Sequence, residues 1–198
     1  MNPGEQPVAH PGTQPPAGVA VVLERTAERL QQHQLTLGVA ESLTGGLIGA
    51  WLTERPGASA YFRGAVVCYA TDVKEQVLGV PGELLAARGA VDPAVARAMA
   101  AGARRVLGAT HGVAVTGAAG PSAQDGIAPG TVYLAVCGPA GLCHTDTLSI
   151  RGTRAAVRTG AVRRALELVE DAVAAMSAVE LHRLAGGVGD DIDSREQT

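Results

Sequence analysis

The sequence predicts an α/β protein, a three-layer α/β/α sandwich on a mixed and mostly parallel sheet of about five strands. Two observations support this fold. Strand-like apolar segments alternate with helical segments over residues 18–115, which is typical of parallel strands joined by crossover helices. The segments 131–137 and 144–150 are instead joined by Gly-Pro-Ala-Gly, which is typical of a hairpin and predicts an antiparallel pair. The 46% of hydrophobic residues are enough for the core of such a sandwich.

The first three elements are predicted as helix, strand and helix. Apolar positions at helical spacing predict a helix over residues 18–33 that packs on the sheet. The apolar run 35–40 predicts the first strand. A helix over residues 47–53 follows, and it ends near the Pro-Gly pair at 56–57, because proline and glycine stop helices.

The middle of the chain is predicted as one strand followed by helices. The run 65–69 predicts the second strand, and its continuous apolarity indicates burial on both faces. Three helical segments follow, the last of them opened by an Asp-Pro pair. They cover residues 71–78, 81–89 and 92–107.

The last part of the chain completes the sheet. Residues 111–115 predict the third strand, which leads directly into the segment 116–121 and then into an irregular polar loop. The two hairpin strands follow this loop. A single long helix over residues 153–182 is predicted to close the fold.

Two terminal segments differ from the rest in composition. Residues 1–17 contain five prolines and almost no apolar periodicity, which predicts a disordered Pro-rich tail. Residues 186–198 are predicted to form an acidic disordered tail. The domain between them, residues 18–185, has 14 acidic and 15 basic residues. Because this domain is nearly neutral, no nucleic-acid partner is expected.

Membrane, secretion and metal signals are missing from the sequence. No apolar run approaches the roughly 18 residues that span a bilayer, and the N-terminus has no secretion signal, so we expect a cytoplasmic protein without a membrane partner. Cys68, Cys137 and Cys143 lack metal-ligand spacing and are interpreted as small buried hydrophobic residues. The five histidines are scattered, so no metal is expected.

The segment 39–46, Val-Ala-Glu-Ser-Leu-Thr-Gly-Gly, is the first candidate for chemistry. It places Glu41 and Ser42 where a strand gives way to a helix. Backbone N–H groups at a helix start are unpaired, so a hydroxyl beside them has donors for an anion or oxyanion. Gly45 and Gly46 would allow a ligand to approach this backbone closely. The alternative interpretation is a Ser/Thr helix cap followed by a glycine turn.

Four loops with polar residues are candidates for the ligand site. In an open α/β sheet, loops at the carboxyl ends of parallel strands converge on one crevice. Three loops of this kind carry small polar residues: 41–46, 69–74 and 116–121. The fourth, 151–158, carries Arg154 and Arg158 one helical turn apart, where an arginine could clamp a phosphate or carboxylate. A solvated basic helix face is the alternative.

Lys74 is the only lysine in a chain with 15 arginines. Lysine can lose its proton and act as a base, which arginine cannot do in a protein. A serine nucleophile needs a base, and no histidine lies in the four loops, so Lys74 is the main candidate and Glu41 the weaker one. A Ser42–Lys74 dyad for acyl transfer is the resulting hypothesis. Burial and a nearby arginine would lower the pKa of Lys74. The alternative is a surface lysine retained by chance.

Six segments together resemble the CinA C-terminal domain family. They occur in the order of the family between residue 18 and about residue 178: Ala-Glu-Ser-Leu-Thr-Gly-Gly at 40–46, Tyr-Ala-Thr-Asp-Val-Lys-Glu-Gln-Val-Leu-Gly-Val at 69–80, Gly-Ala-Val at 89–91, Thr-Gly-Ala-Ala-Gly-Pro at 116–121, Gly-Thr-Val at 130–132 and Arg-Gly-Thr-Arg-Ala-Ala-Val-Arg at 151–158. The resemblance implies a stand-alone nicotinamide-nucleotide amidase of pyridine nucleotide salvage, which converts nicotinamide mononucleotide (NMN) and water to nicotinate mononucleotide and ammonia. It also implies an α/β/α mixed sheet, a Ser/Lys mechanism without metal or other cofactor, and a homo-oligomer.

The resemblance also implies roles for individual residues. Ser42 matches the nucleophile, Lys74 the base and Tyr69 a further tyrosine of the catalytic site. The expected substrate-binding residues lie in the matching motifs: Glu41, Thr44, Gly45, Gly46, Thr116, Gly117 and Arg154. We expect N–H groups near residues 44–46 to hold the oxyanion, and Arg154 with the Thr116 loop to hold the 5′-phosphate. A non-catalytic nucleotide-binding or regulatory domain and an amidase for another small carboxamide are the alternatives.

Overall fold

One five-stranded sheet forms the centre of the protein, for which a computed structural model describes residues 14–186. The strands are β1 (Leu37–Glu41), β2 (Phe62–Val67), β3 (His111–Gly117), β4 (Thr131–Cys137) and β5 (Cys143–Ser149). Their spatial order is β2-β1-β3-β4-β5. β1 is parallel to β2 and β3, whereas β3 with β4 and β4 with β5 are antiparallel. The predicted mixed sheet and its antiparallel hairpin are confirmed.

Helices cover both faces of the sheet. In the described part of the chain they are α1 (Ala17–Gln32), α2 (Leu47–Glu54), α3 (Thr71–Leu78), α4 (Gly82–Arg88), α5 (Pro93–Val106), α6 (Arg154–Ala174) and α7 (Ala178–Gly186). Side chains of α1, α2 and α6 form one apolar layer with Val39 and Val113 of the sheet. Side chains of α3, α4 and α5 form the second layer with Ala40 and Ala114. The predicted α/β/α sandwich is therefore confirmed.

Two of the three interior strands, β1 and β3, are buried along their whole length. Successive side chains of a strand point to opposite faces, so Val39 and Ala40 enter different apolar layers. Gly112 of β3 allows α5 to approach the sheet closely, because a Cβ at this position would overlap the carbonyl oxygen of Ala100. Aromatic residues make up only 3% of the chain, and close packing of small residues such as Gly112 and Ala100 fills the core in their place.

The second strand differs from its prediction in position and burial. β2 covers Phe62–Val67 instead of residues 65–69, and its residues alternate between half-buried and exposed. The prediction of burial on both faces was wrong, because β2 is an edge strand with β1 as its single strand neighbour. A short apolar run does not distinguish an edge strand from a central one.

The C-terminal helical region is divided in two. One helix was predicted over residues 153–182, but α6 ends at Ala174 and α7 begins at Ala178. Between them, the N–H of Ser177 donates to Glu180 Oε2 at 2.9 Å and the N–H of Glu180 donates to Ser177 Oγ at 3.3 Å. This reciprocal pair is a capping box, which starts a new helix.

The cysteines require a correction. Cys137 and Cys143 are register partners on β4 and β5 and form a disulfide. Cys137 is buried, as expected, whereas Cys143 is half-buried. The interpretation of both as small buried hydrophobic residues missed the disulfide, because only the hairpin places two residues that are six positions apart directly opposite each other. Cys68 is a free, buried cysteine, as expected.

The predicted tails lie mostly outside the described residues, which exclude 1–13 and 187–198. Helix α1 begins at Ala17, one residue inside the predicted N-terminal tail. None of the helices within residues 14–186 combines the length and apolar character that crossing a bilayer requires.

Candidate functional site

The parallel part of the sheet ends at one edge, where the candidate residues collect. The register pairs Glu41 of β1 with Val67 of β2 and with Val115 of β3. The chain that leaves β1 at this edge forms the turn 42–46 and then enters α2. Carboxyl ends of parallel strands are the usual location of a ligand site in this class of fold.

Glu41 caps the start of α2. Its side chain is fully buried, and its two carboxylate oxygens accept N–H groups of Gly46 at 2.9 Å, Ile48 at 3.1 Å and Gly49 at 2.9 Å. An acidic group at a helix N-terminus is favoured by the helix dipole and by the unpaired donors there. The carboxylate of Glu41 is therefore occupied by backbone donors, and the residue does not line the cavity in which a substrate contact was expected.

The turn 42–46 is held by the backbone. The N–H of Ser42 donates to Val115 O and the N–H of Gly45 donates to Ser42 O, both at 3.1 Å. Gly45 and Gly46 have φ values of 60° and 94°, which side chains disfavour. Among the hydrogen bonds of the described residues, the N–H groups expected to bind an oxyanion at Gly45 and Gly46 already have acceptors.

Two other backbone donors of this turn are unpaired. The N–H groups of Leu43 and Thr44 make no hydrogen bond to any part of the chain between residues 14 and 186. Leu43 also lines the cavity beside Ser42. Of the expected range 44–46, only Thr44 thus keeps a free N–H among the described hydrogen bonds, and Leu43 adds one that the sequence did not indicate.

Lys74 reaches Ser42 from α3. The Nζ of Lys74 lies 3.2 Å from Ser42 Oγ, and it donates to the carbonyl oxygens of Cys68 at 2.7 Å and Tyr69 at 3.4 Å. An ammonium can donate three hydrogen bonds to these three oxygens. A neutral amine can donate to the two carbonyl groups and accept the Ser42 proton with its lone pair. The surroundings of Lys74 therefore suit both protonation states.

Burial lowers the pKa of Lys74 from its ordinary value. Only 1% of the side chain is exposed, and removal from water disfavours the charged form. The neighbouring Cys68 acts in the opposite direction on the Lys74 pKa. Desolvation, and not the neighbouring arginine suggested by the sequence, is thus the main cause of the shift.

A small cavity opens above Ser42. It has an empty volume of about 270 Å³, part of which is open to solvent. Arg154 stands at its rim, where Nη2 donates to Tyr69 Oη at 3.0 Å and Nη1 donates to Gly120 O at 2.9 Å. The lining residues are Ser42, Leu43, Tyr69, Gly117, Ala119, Gln124 and Arg154.

A second cleft shares Ala119 and Arg154 with this cavity. It has an empty volume of about 780 Å³ and lies between residues 119–121 and 149–154. Arg151 and Arg154 both line it. Together the two spaces offer a serine hydroxyl at one end and two guanidinium groups at the other.

Several expected substrate-binding residues do not line either space. The hydroxyl of Thr116 donates to Ala90 O at 2.7 Å and is fully buried. Thr44 is also fully buried, and its Oγ1 has no hydrogen-bond partner in the described structure. Thr116 thus supports the backbone around the cavity, as Glu41 does, whereas the Thr44 hydroxyl makes no such bond.

Two parts of the site were missed by the sequence analysis. Gln124 lines the cavity through the loop that follows β3, and this loop had been recognised only as polar and irregular. The carbonyl oxygen of Cys68 accepts the shortest hydrogen bond of Lys74. A backbone acceptor leaves no signal in residue type, and the fold of an irregular loop is not encoded in a periodic pattern.

Arg158 lies behind the turn and not in the cavity. Its Nη2 donates to Thr44 O at 2.6 Å, and its Nε is buried without a hydrogen-bond partner in the described structure. Although Arg154 and Arg158 are one helical turn apart on α6, only Arg154 lines the cavity. The two arginines, both considered as possible ligand clamps, therefore have different surroundings.

This arrangement contains the parts needed for acyl transfer. It combines a serine hydroxyl, an amine with a lowered pKa in contact with it, and unpaired backbone N–H groups next to the serine. Such a set can deprotonate a nucleophile and stabilise an oxyanion. In the described residues, no group of three or more His, Cys, Asp or Glu side chains is placed to hold a metal ion.

Comparison with known proteins identifies relatives over most of the chain. Residues 20–173 match the family described as CinA C-terminal domain. A CinA-like protein of Frankia casuarinae is 49% identical over 160 residues, which are 80% of this chain and 36% of the relative. A CinA-like protein of Anaeromyxobacter dehalogenans is 51% identical over 142 residues, or 71% of this chain and 35% of the relative. The chain spans about a third of the length of the curated relatives that it matches.

Solved structures have the same fold. A CinA superfamily protein of Klebsiella pneumoniae superposes with a TM-score of 0.77 and 31% identity, over 80% of this chain and 99% of that chain. A competence/damage inducible protein of Agrobacterium tumefaciens gives a TM-score of 0.76 and 34% identity, over 81% of this chain and 98% of that chain.

Proposed function

The chain belongs to the CinA C-terminal domain family, and we propose that it is an amidohydrolase that converts NMN and water to nicotinate mononucleotide and ammonia. The proposal places the enzyme in pyridine nucleotide salvage, as a cytoplasmic homo-oligomer that works without a cofactor. The observation that carries it is the contact between Lys74 Nζ and Ser42 Oγ at 3.2 Å.

In the proposed mechanism, Lys74 begins as the neutral amine. It accepts the proton of Ser42, and Ser42 Oγ attacks the carboxamide carbon of NMN. The two carbonyl groups that accept hydrogen bonds from Lys74, those of Cys68 and Tyr69, hold the amine in place during this transfer. The lowered pKa of Lys74 increases the fraction of neutral amine at a given pH.

The N–H groups of Leu43 and Thr44 are the proposed oxyanion donors. Attack on the carboxamide converts its oxygen into an oxyanion, which needs donors that are not already paired. These two N–H groups meet that requirement, whereas those of Gly45 and Gly46 do not. An oxyanion donor is worth about 3 to 4 kcal/mol in the transition state, so this change of donors matters for the rate.

Collapse of the tetrahedral intermediate breaks the C–N bond. Protonated Lys74 gives its proton to the leaving nitrogen, which departs as ammonia and leaves an acyl group on Ser42. Lys74, neutral again, then takes a proton from water, and the resulting hydroxide attacks the carbonyl carbon of the ester. As the C–O bond to Ser42 breaks, Lys74 gives this proton to Ser42 Oγ, which restores the serine hydroxyl and the neutral amine. The products are nicotinate mononucleotide and the free enzyme.

Substrate orientation is assigned to the rim of the cavity. Arg154 and Arg151 supply positive charge next to the cavity, in the cleft that would receive the 5′-phosphate. Tyr69 and Gly117 line the space around Ser42 and would contact the nicotinamide ring. The side chains of Glu41 and Thr116 contribute indirectly, because they fix the backbone of the loops around the cavity.

An ammonia-release assay with the purified full chain tests this proposal. NMN is compared with nicotinamide, glutamine and asparagine, each with a Ser42→Ala control. Ammonia from NMN alone is expected. Release from another carboxamide but not from NMN would identify a different amidase. Thermal stabilisation by NMN without ammonia release would instead indicate a nucleotide-binding domain that is not an enzyme.

A further inference from the structure

We propose that Arg158 is a positioning residue that strengthens the oxyanion donor at Leu43 through a chain of peptide hydrogen bonds. This inference rests on the proposed function of Ser42 as nucleophile. It concerns a residue outside the substrate cavity, since Arg158 does not line the space that contains Ser42.

The first link of the chain joins α6 to the turn. Arg158 Nη2 donates to the carbonyl oxygen of Thr44 at 2.6 Å. A hydrogen bond from a charged guanidinium is stronger than one between neutral groups, and it draws electron density toward the carbonyl oxygen. The same peptide unit carries the N–H of Gly45, which becomes a better donor as a result.

The second link leads back toward Ser42. The N–H of Gly45 donates to the carbonyl oxygen of Ser42 at 3.1 Å. The peptide unit of that carbonyl carries the N–H of Leu43. This N–H has no acceptor within residues 14–186, and Leu43 lines the cavity beside Ser42. The polarised chain therefore ends on the free donor nearest to the reacting carbon.

The positive charge of Arg158 would also stabilise the oxyanion electrostatically. Glu41, directly before Ser42 in the chain, puts a buried carboxylate next to the same turn, where it accepts the N–H groups of Gly46, Ile48 and Gly49. A negative charge there opposes the development of an oxyanion. A guanidinium bound to the same turn offsets this opposition.

The surroundings of Arg158 are poorly explained by stability alone. Its Nε is buried and unpaired in the described structure, and so is Oγ1 of Thr44, to whose carbonyl group Arg158 is bonded. Burying polar atoms without partners costs free energy, which an apolar side chain on α6 would avoid. Stabilisation of the oxyanion in the transition state would explain why an arginine occupies this position.

Steady-state kinetics of Arg158→Met, with NMN as substrate, test the role. Loss of kcat by about ten-fold or more is expected, with KM changed by less than about two-fold, because the oxyanion exists only in the transition state. Arg158→Lys, which retains a cationic donor, should lose less than Arg158→Met. The pH at which the rate rises should stay the same, because Lys74 sets it. Arg163→Met, an exposed position on the same helix, is the matched control.

Two kinetic results would overturn the inference. Unchanged kcat in Arg158→Met contradicts it, and so does an equal loss in Arg158→Met and Arg158→Lys. Thermal unfolding and titration of active sites separate a loss of folded protein from a loss of kcat. If Arg158→Met does not fold, Arg158→Lys decides, because its kcat must then fall below that of the Arg163→Met control.

A second readout does not depend on the amide substrate. A fluorophosphonate probe reacts with an activated serine through an oxyanion-like transition state, and mass spectrometry of the Ser42 peptide gives its labelling rate. Slower labelling in Arg158→Met supports the inference even if NMN is not hydrolysed, in which case only the substrate assignment fails. Equal labelling in both proteins overturns the inference alone. Absence of labelling at Ser42 in the unaltered protein overturns both proposals.

Discussion

Lys74 Nζ lies 3.2 Å from Ser42 Oγ, although the two residues are 32 positions apart in the sequence. Parallel pairing of β1 and β2 brings them together, because Ser42 follows β1 and α3, which carries Lys74, follows β2. Exposed fractions of 8% for Ser42 and 1% for Lys74 mean that both side chains are positioned by packing and not by solvent. The fold thus holds the Ser42 hydroxyl and the Lys74 amine in contact.

Replacement of Lys74 by arginine should abolish turnover. Arg keeps the positive charge but has no accessible neutral form, so it cannot accept the Ser42 proton. We expect Lys74→Arg and Lys74→Met to release no ammonia from NMN, while circular dichroism shows retained secondary structure. Glu75→Gln, an exposed position on the same helix, serves as the control with normal activity. Substantial activity of purified Lys74→Arg would exclude Lys74 as the base.

The rate should depend on pH through Lys74. In the proposed mechanism the neutral form of Lys74 is the active one, so kcat/KM should fall as the pH falls through the pKa of Lys74. Because burial lowers the pKa of Lys74, this inflection should lie below the ordinary lysine pKa of 10.5. A pH profile of kcat/KM for NMN measures it. A rate that is independent of pH up to that value, or that increases in acid, would be inconsistent with a lysine base.

Arg154 should contribute to binding more than to chemistry. If it contacts the 5′-phosphate, Arg154→Met should raise KM for NMN by about ten- to hundred-fold, the range expected for a lost charged hydrogen bond. Nicotinamide riboside lacks the phosphate and provides the control, since the same substitution should change its kinetics little. An equal effect on both substrates would show that Arg154 acts on the site through Tyr69 or Gly120 and not through the phosphate.

Much of the fold could be predicted because it follows from local patterns. The hairpin strand at Thr131–Cys137, the cap at Asp92 and the helix with Lys74 are each encoded by a few adjacent residues. The predicted burial of β2 on both faces was wrong, because the position of a strand within a sheet depends on neighbours that are distant in the sequence. The disulfide between Cys137 and Cys143 was missed for a related reason, since only the register places them opposite each other.

In the candidate site, too, features that depend on residue type could be predicted, and features that depend on the folded backbone could not. Ser42, Lys74 and Arg154 could be proposed from the sequence because residue type limits their chemistry. The roles of backbone groups could not be predicted, because which N–H groups are already paired is a property of the folded turn. The N–H of Gly46 donates to Glu41 and the N–H of Gly45 donates to Ser42. Among the described residues of this turn, the N–H groups of Leu43 and Thr44 have no acceptor. Gln124 depends on an irregular loop and has no periodic signal.

His111 should make stability depend on pH. Burial, with the nearby charge of Arg104 as second cause, lowers the pKa of His111 from 6.5 to about 4. The unfolded chain binds the proton at the higher pH, so the free energy of unfolding should decrease as the pH falls from 6.5 to about 4, by about 3 kcal/mol. Urea unfolding at pH 7 and pH 4 measures this loss. His111→Gln should show a smaller loss, and the same pH dependence in both proteins would contradict the assignment.

The most direct test of the account is to trap the covalent intermediate. The full chain is mixed with NMN, quenched with acid within the first turnovers, digested and analysed by mass spectrometry. We predict that the peptide containing Ser42 carries nicotinate mononucleotide as an ester, that Ser42→Ala carries none, and that the adduct forms before ammonia release reaches its steady rate. Ammonia release from NMN without any adduct on Ser42, or with undiminished rate in Ser42→Ala, would contradict the Ser42–Lys74 mechanism.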